Sequence, residues 1–160
     1  MRSAHTRLNT SNLAASVEGA TWPPGTHLVS DRAGFLHHGI YAGNGLVIHY
    51  AGLCETFQYG PVEEVPLSRF AACHAVWSLE QPDSDYRGQQ VLCRARARLG
   101  ECRYKLLTNN CEHFCNWCLH GHARSDQVRR FWTSPFYAMR LIRHFIPMLL
   151  GWRTSPVSHP

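Results

Sequence analysis

The stretch that most constrains the fold is residues 108–114, Thr-Asn-Asn-Cys-Glu-His-Phe, which opens a run of apolar residues at helical spacing. Thr108 or Asn109, with Asn110 close behind, can cap a helix here, because these side chains accept hydrogen bonds from the first free amides. Cys111 should then lie in the first turn, where unpaired N–H groups and the helix dipole stabilise a thiolate. The sequence therefore predicts a reactive cysteine with a lowered pKa.

A cysteine nucleophile needs a base, and residues 35–50 supply histidines on a predicted β-hairpin. The length of the turn decides which histidine it is, because a one-residue change in register moves every side chain to the other face. A three-residue loop, 43–45, places Gly39 opposite His49 and makes His37 the diagonal neighbour of His49. A two-residue loop, 44–45, places Ile40 opposite His49 and makes His38 the histidine that lies near His49. Glycine at the third loop position favours the longer loop and hence His37.

These motifs carry a family resemblance. The segments His37-x-Gly-Ile-Tyr, Gly-Asn-Gly, Val-Ile-His49 and Asn-Cys111-Glu-His-Phe occur in the order seen in the lecithin:retinol acyltransferase-like (LRAT-like) family, which they resemble across about residues 25–119. That family is a circularly permuted branch of the papain-like NlpC/P60 group. The resemblance implies an α+β fold, with a small antiparallel sheet packed against helices, and we expect a bacterial member.

The resemblance also implies an activity and a set of site residues. Cys111 would attack a glycerophospholipid ester to form a thioester, His37 would move the proton, and His49 would be the third catalytic residue. The acyl chain would then pass to water, an alcohol or an amine, as in an acyltransferase or phospholipase A. Backbone amides and Asn110 would face the oxyanion, and Tyr41, which shares the strand parity of His37, would line the site. We expect neither a cofactor nor a metal.

Two other functions remain open at this stage. Relatives in the NlpC/P60 group cut cell-wall peptides, so a cysteine peptidase or amidase is the alternative among enzymes. A non-enzymatic module that binds a membrane or a partner protein is the alternative from another class.

Length, charge and cysteine content set further limits. A chain of 160 residues fits one domain, for which we expect a leader over 1–24, a catalytic domain over 25–125 and a tail over 126–160. The net charge of +5 lies entirely in residues 121–160, which carry six arginines against Asp126 alone. The first thirty residues lack the pattern of a secretory signal, and seven cysteines is an odd number, so we expect free thiols in the cytoplasm.

The tail, residues 131–152, combines aromatic and aliphatic residues with arginines. The charge-free stretch after His144 is eight residues, Phe145 to Trp152, well short of the ~20 that a spanning helix needs, and Pro135 and Pro147 interrupt the pattern. Such a segment is typical of peripheral binding to an anionic membrane surface. The alternative is that the tail packs on the domain or makes a dimer contact.

Two patterns could indicate a zinc site and nucleic-acid binding, but each has a simpler structural interpretation. Cys111, Cys115, Cys118 and His122 form one helical stripe, but four-coordinate zinc sites usually draw ligands from two separated segments, so buried core cysteines are the simpler interpretation. The arginines at 94, 96 and 98 fall on a helix predicted over 86–99. No aromatic residues interleave with them, so we expect a solvated face and no nucleic-acid partner.

Overall fold

A five-stranded antiparallel sheet is the central element of the computed structural model, which describes residues 22–32, 35–52, 60–134, 139 and 142–143. The strands are β1 (His27–Arg32), β2 (Phe35–Gly43), β3 (Leu46–Tyr50), β4 (Val62–Pro66) and β5 (Val76–Ser78). The helices are α1 (Leu67–Ala71), α2 (Gln89–Arg96), α3 (Cys111–His120) and α4 (Asp126–Thr133). The spatial strand order is β4-β3-β2-β1-β5, so β2 lies at the middle of the sheet.

Hydrophobic side chains bury both faces of the central hairpin, because successive residues of a strand point to opposite sides. Ile40 and Ile48 join a cluster with residues of α2 and α3 on one face. Tyr41 and Val47 join a second cluster with Phe70 and other residues of α1 on the opposite face. The α+β architecture predicted from the sequence is confirmed.

The hairpin between β2 and β3 combines a tight turn with a β-bulge. Asn44 and Gly45 form a two-residue turn with φ of 52° and 73°, as the favoured primed turns require. The three-residue loop and the Ala42–Leu46 pair that it implied are therefore wrong. The pairing shifts between Tyr41 and Gly43, however, and this extra residue restores Gly39 opposite His49. The predicted neighbour relation of His37 and His49 is thus confirmed, although through a different turn.

Gly39 is required by close packing at this position. A Cβ atom there would lie 2.6 Å from Cγ1 of Val47 and 2.8 Å from Cε2 of Phe70. Only a residue without a side chain lets α1 approach the sheet beside His49.

A capping box begins α3. Oδ1 of Asn110 accepts a hydrogen bond from the backbone N–H of His113 (3.0 Å), and Nδ1 of His113 lies 3.5 Å from the backbone N of Asn110. The cap is therefore Asn110 and neither Thr108 nor Asn109. Cys111 is the first helical residue, as predicted, and Gly121 ends the helix in the left-handed region at φ 74°.

Arginine side chains join α2 to α3. The guanidinium of Arg94 lies 4.2 Å from the ring centre of Tyr86 and 4.1 Å from that of Trp117, and it donates to the carbonyl of Trp117 (2.8 Å). Arg98 stacks on Trp117 at 5.0 Å. The solvated face predicted for these arginines is wrong for both, because their aromatic partners come from other segments of the chain. The helix itself, Gln89–Arg96, is shorter than the predicted 86–99.

Several expectations concern residues outside the described ranges. These are the leader before residue 22 and most of the tail beyond residue 134. Within the described ranges, no helix is long and apolar enough to cross a bilayer. The six cysteines described there are all free, and Cys115 and Cys118 are buried in the core, as the simpler interpretation predicted.

Candidate active site

Two buried imidazoles meet between the central strands. Nε2 of His37 in β2 lies 2.8 Å from Nδ1 of His49 in β3, and the two rings are nearly perpendicular. Phe70 of α1 packs against both, with ring centres 5.0 Å from His37 and 5.7 Å from His49. The strand register and α1 therefore fix the orientation of this pair.

Burial keeps both imidazoles neutral at physiological pH. It lowers the pKa of His37 well below its usual value, and His49 and Arg32 lower it further. Burial likewise lowers the pKa of His49 to about 4, with smaller contributions from Arg69 and Arg32. A neutral imidazole has a lone pair that can accept a proton.

The thiol of Cys111 lies against the backbone of β2. Its sulfur is placed to accept hydrogen bonds from the backbone N–H groups of His38, Glu112 and Cys111 itself. His38 directly follows His37, so the sulfur lies at the strand that carries His37. Contact of the Cys111 sulfur with the imidazoles of His37 and His49 stays a prediction.

The protonation state of Cys111 differs from the prediction. The backbone N–H groups lower its pKa, as expected at a helix N-terminus, but burial has the larger effect and raises the pKa to about 12. The expectation of a lowered pKa is therefore wrong for this resting structure. Cys111 and His37 are therefore both neutral, a state suited to proton transfer during attack and not a preformed thiolate and imidazolium.

The two other predicted site residues occupy structural positions. Nδ2 of Asn110 donates to the carbonyl of Leu106 (2.8 Å), while Oδ1 serves the cap of α3. The hydroxyl of Tyr41 accepts a hydrogen bond from the backbone N of Gly45 (3.0 Å), which braces the hairpin turn. Roles for Asn110 at the oxyanion and for Tyr41 in lining the site stay predictions.

Two charged residues beside the histidines were not found by sequence reasoning. Oε1 of Glu63, the cross-strand partner of His49 in β4, lies 3.4 Å from Nε2 of His49 and 3.4 Å from Nη2 of Arg69. The buried Arg32 donates to the carbonyls of Ala71 (2.6 Å) and Phe70 (2.5 Å), where a cation complements the C-terminal end of α1. The signal for Glu63 lies in the pairing of β3 with β4, which is visible only once the register is known.

Glu112, next to the nucleophile candidate, links α3 to α4. Its carboxylate accepts a hydrogen bond from the hydroxyl of Ser125, the N-cap of α4, and another from the backbone N of Asp126 (3.2 Å). Glu112 also lies in the first turn of α3, so its carboxylate joins the N-terminal ends of the two helices.

A second pair of buried imidazoles lies behind the site. Nε2 of His27 is 2.9 Å from Nδ1 of His38, and Gln81 contacts the other nitrogen of His27 at 3.2 Å. The imidazole of His38 is thus engaged with β1, while His37 pairs with His49.

The zinc interpretation of the cysteines concerns a different part of the site. No group of three or more His, Cys, Asp or Glu suited to a metal ion occurs in the part of the chain that the structure describes.

The antiparallel sheet, the helix that begins at a cysteine and the adjacent histidine pair define a papain-like α+β domain. The family model for lecithin retinol acyltransferase matches residues 20–124, and the chain belongs to this family. It is 32% identical over 122 residues to human phospholipase A and acyltransferase 3, an alignment that covers 66% of this chain and 75% of that protein. The mouse form of that protein is 30% identical over the same shares of both chains.

A shorter match links the chain to the protein that gives the family its name. Mouse lecithin retinol acyltransferase is 43% identical over 46 residues, which cover 29% of this chain and 20% of that protein. These relatives are mammalian, so the bacterial origin stays a prediction.

The buried histidines make stability depend on pH. Burial lowers the pKa values of His27, His37, His38 (to about 3) and His49 (to about 4), whereas unfolded histidine titrates near 6.5. The unfolded chain therefore takes up protons first as the pH falls, and stability present above pH 6.5 is lost below it. We expect a steep fall in the melting temperature between pH 6.5 and 5. At pH 5 each histidine that stays neutral in the folded protein lowers the free energy of unfolding by about 2 kcal/mol relative to neutral pH.

Calorimetry over this range checks the expectation, because most carboxylates titrate at lower pH. His27→Gln should lower the number of protons taken up on unfolding near pH 5 by about one. His74→Gln, at an exposed position, should leave this number unchanged. A melting temperature that stays constant from pH 7.5 to 5 would contradict the burial of neutral histidines.

The raised pKa of Cys111 predicts slow alkylation. At pH 8 iodoacetamide should modify the exposed Cys73, Cys93 and Cys102 well before Cys111, because the thiolate is the reactive species and Cys111 is only 4% exposed. Peptide mass spectrometry over a time course measures each rate, and alkylation in denaturant controls for peptide detection. Faster labelling of Cys111 than of the exposed cysteines would restore the lowered pKa predicted from the sequence.

Proposed function

We propose that this protein transfers acyl groups from glycerophospholipids through a thioester on Cys111. The observations that support the proposal are the position of the Cys111 sulfur at the backbone of His38, the residue after His37, and the pairing of the His37 and His49 imidazoles. The family of the chain supports acyltransferase or phospholipase A chemistry, and the relatives named phospholipase A and acyltransferase support the lipid substrate.

The first half of the reaction forms the acyl-enzyme. The sulfur of Cys111 attacks the ester carbonyl while His37 accepts the thiol proton, which Nδ1 is assigned to take because Nε2 is engaged by His49. The carbon–sulfur bond forms, the ester carbon–oxygen bond breaks, and the lysolipid alcohol leaves with the proton from His37. In the second half, water, an alcohol or an amine attacks the thioester and restores the thiol.

The attack creates a positive charge on His37 and a negative charge on the carbonyl oxygen, and groups at the site are suited to stabilise both. His49, with the carboxylate of Glu63 3.4 Å from its Nε2, would stabilise the imidazolium of His37. The backbone N–H groups of His38 and Glu112 are suited to the oxyanion, and loss of one such donor typically costs ~3 kcal/mol of barrier. The side chain of Asn110 would have to leave the carbonyl of Leu106 to assist them.

The region around α4 is proposed to contact the membrane. Trp132 is 70% exposed, Met139 is 62% exposed and Ile142 is 47% exposed. Exposed arginines at 129, 130 and 143 accompany these apolar side chains. Apolar area together with positive charge favours an anionic interface, where the phospholipid substrate resides.

The thioester route predicts a covalent adduct. After incubation with phosphatidylcholine vesicles, the intact protein should gain one fatty-acyl mass that hydroxylamine removes, because hydroxylamine cleaves thioesters. Cys111→Ala should abolish the adduct, and His37→Ala should lower its rate of formation by at least ~100-fold, since general-base catalysis contributes 10²–10⁴-fold. Mass spectrometry with simultaneous measurement of released lysolipid and fatty acid detects both stable and rapidly hydrolysed adducts.

His38→Ala is the matched control for the assignment of the base, because the structure pairs that imidazole with His27. It should retain most of the activity per folded molecule. Equal loss in the His37 and His38 variants would leave the choice of His37 unsupported. Absence of adduct, lysolipid and fatty acid in the unmodified protein would refute acyl transfer from phospholipids.

Membrane contact predicts a loss of vesicle binding on polar substitution. Trp132→Ser combined with Met139→Ser and Ile142→Ser should weaken sedimentation with anionic vesicles by at least about tenfold, because buried apolar area drives interfacial binding. Leu79→Ser, at an exposed apolar residue outside this region, is the control and should bind normally. Unchanged sedimentation of the triple variant would rule out this surface.

A further inference from the structure

Four polar side chains join the end of β3 to the loop before the nucleophile. They are Tyr50, Arg98, Glu101 and Asn109, and we refer to them as the Glu101 cluster. Tyr50 directly follows His49, and Asn109 precedes Cys111 by two residues. The cluster therefore connects the two segments whose separation sets the distance between the thiol and the histidine pair.

The carboxylate of Glu101 lies at the centre of the cluster. It accepts two hydrogen bonds from Arg98, at 2.8 Å from Nε and 2.5 Å from Nη2, in the bidentate geometry typical of strong ion pairs. Asn109 Nδ2 donates to the same carboxylate (3.2 Å), as does the hydroxyl of Tyr50 (3.3 Å). The hydrogen bond from Arg98 is the main reason that the pKa of Glu101 falls to about 2, so the carboxylate stays charged at neutral pH.

The side-chain amide of Asn109 forms hydrogen bonds through both its nitrogen and its oxygen. Besides the bond to Glu101, Nδ2 donates to the carbonyl of Arg103 (2.9 Å), and Oδ1 accepts from Nη2 of Arg98 (3.3 Å). Its backbone N and O also pair with Lys105 at 2.8 Å and 3.0 Å. These bonds fix the residue that leads into the cap of α3, and so they limit where Cys111 can lie.

Tyr50 supplies the connection to the histidine strand. Its hydroxyl accepts a hydrogen bond from the backbone N of Arg103 (2.6 Å). Its buried ring packs edge-on against Tyr104 at 5.2 Å and against Phe114, one turn into α3, at 6.4 Å. Displacement of the 101–109 segment would therefore move α3 relative to the strand that carries His49.

We propose that Asn109 and Glu101 are positioning residues, which hold the Cys111 sulfur at the distance from His37 that proton transfer requires. Neither residue contacts the reacting atoms, so both would act through the backbone of the loop and through Tyr50. The inference rests on the proposed acyl transfer. A displacement of 1 Å at a reacting group can lower a rate by about 100-fold, which sets the scale of the expected effect.

Asn109→Ala and Glu101→Gln test this role, and Thr108→Ala, at an exposed residue of the same loop, is the matched control. The substrate is dihexanoyl phosphatidylcholine below its micelle concentration, which separates chemistry from membrane binding. We expect kcat per folded molecule to fall about 30-fold to 100-fold in both variants while KM changes less than about threefold. The pH profile should stay unchanged, because neither residue exchanges the proton, and Thr108→Ala should match the unmodified protein.

A purely structural role would lower the melting temperature and leave kcat per folded molecule unchanged, and that result would overturn the proposal. If Asn109→Ala or Glu101→Gln does not fold, Arg98→Lys decides the question, since it keeps the charge and loses the bidentate contact. A kcat unchanged in Arg98→Lys would then contradict the positioning role. If the unmodified protein does not turn over the substrate, the proposed function fails first and the positioning role falls with it.

Discussion

The cost of burying charge governs the chemistry of this site. Helices cover both faces of the sheet that carries His37 and His49, and Cys111 begins one of these helices. Desolvation favours the neutral form of each of the three groups. The N-terminus of α3 and the backbone N–H of His38 favour the thiolate, but their effect is smaller than that of burial. In the proposed reaction the substrate carbonyl accepts the developing negative charge. The thiol proton then moves to His37 as the carbon–sulfur bond forms, so no free thiolate has to be buried.

The central strand β2 relates the parts of the site to one another. It carries His37, it presents the His38 N–H to the sulfur, and its Gly39 lets α1 pack closely beneath the histidines. This strand thus sets the position of the proposed base His37, of a backbone donor to the sulfur of Cys111 and of Phe70 beneath the histidines. The bulge between Tyr41 and Gly43 makes this possible, since it turns a two-residue hairpin into the register that places Gly39 opposite His49.

Much of the fold, the pairing of His37 with His49 and the start of α3 at Cys111 could be predicted from the sequence, because they depend on local patterns. Alternating strands, the polar start of α3 and the motif order are all visible in the chain. The cap at Asn110, the partners of Arg94 and the capping of α4 by Glu112 could not be predicted, because each depends on which segments pack together. The pKa of Cys111 was missed for a related reason, since helix position is local but the depth of burial is a property of the whole fold.

The neutral state of Cys111 also bears on how the nucleophile withstands oxidants. Peroxides and disulfides react with thiolates, and a buried thiol with a pKa of about 12 presents almost none at neutral pH. The residue on which the proposed chemistry depends is thus kept in a form that oxidises slowly. The exposed Cys73, Cys93 and Cys102 meet such reagents first. In the proposed reaction the substrate activates the Cys111 thiol, so the same burial that keeps the thiol neutral also slows its oxidation when no substrate is bound.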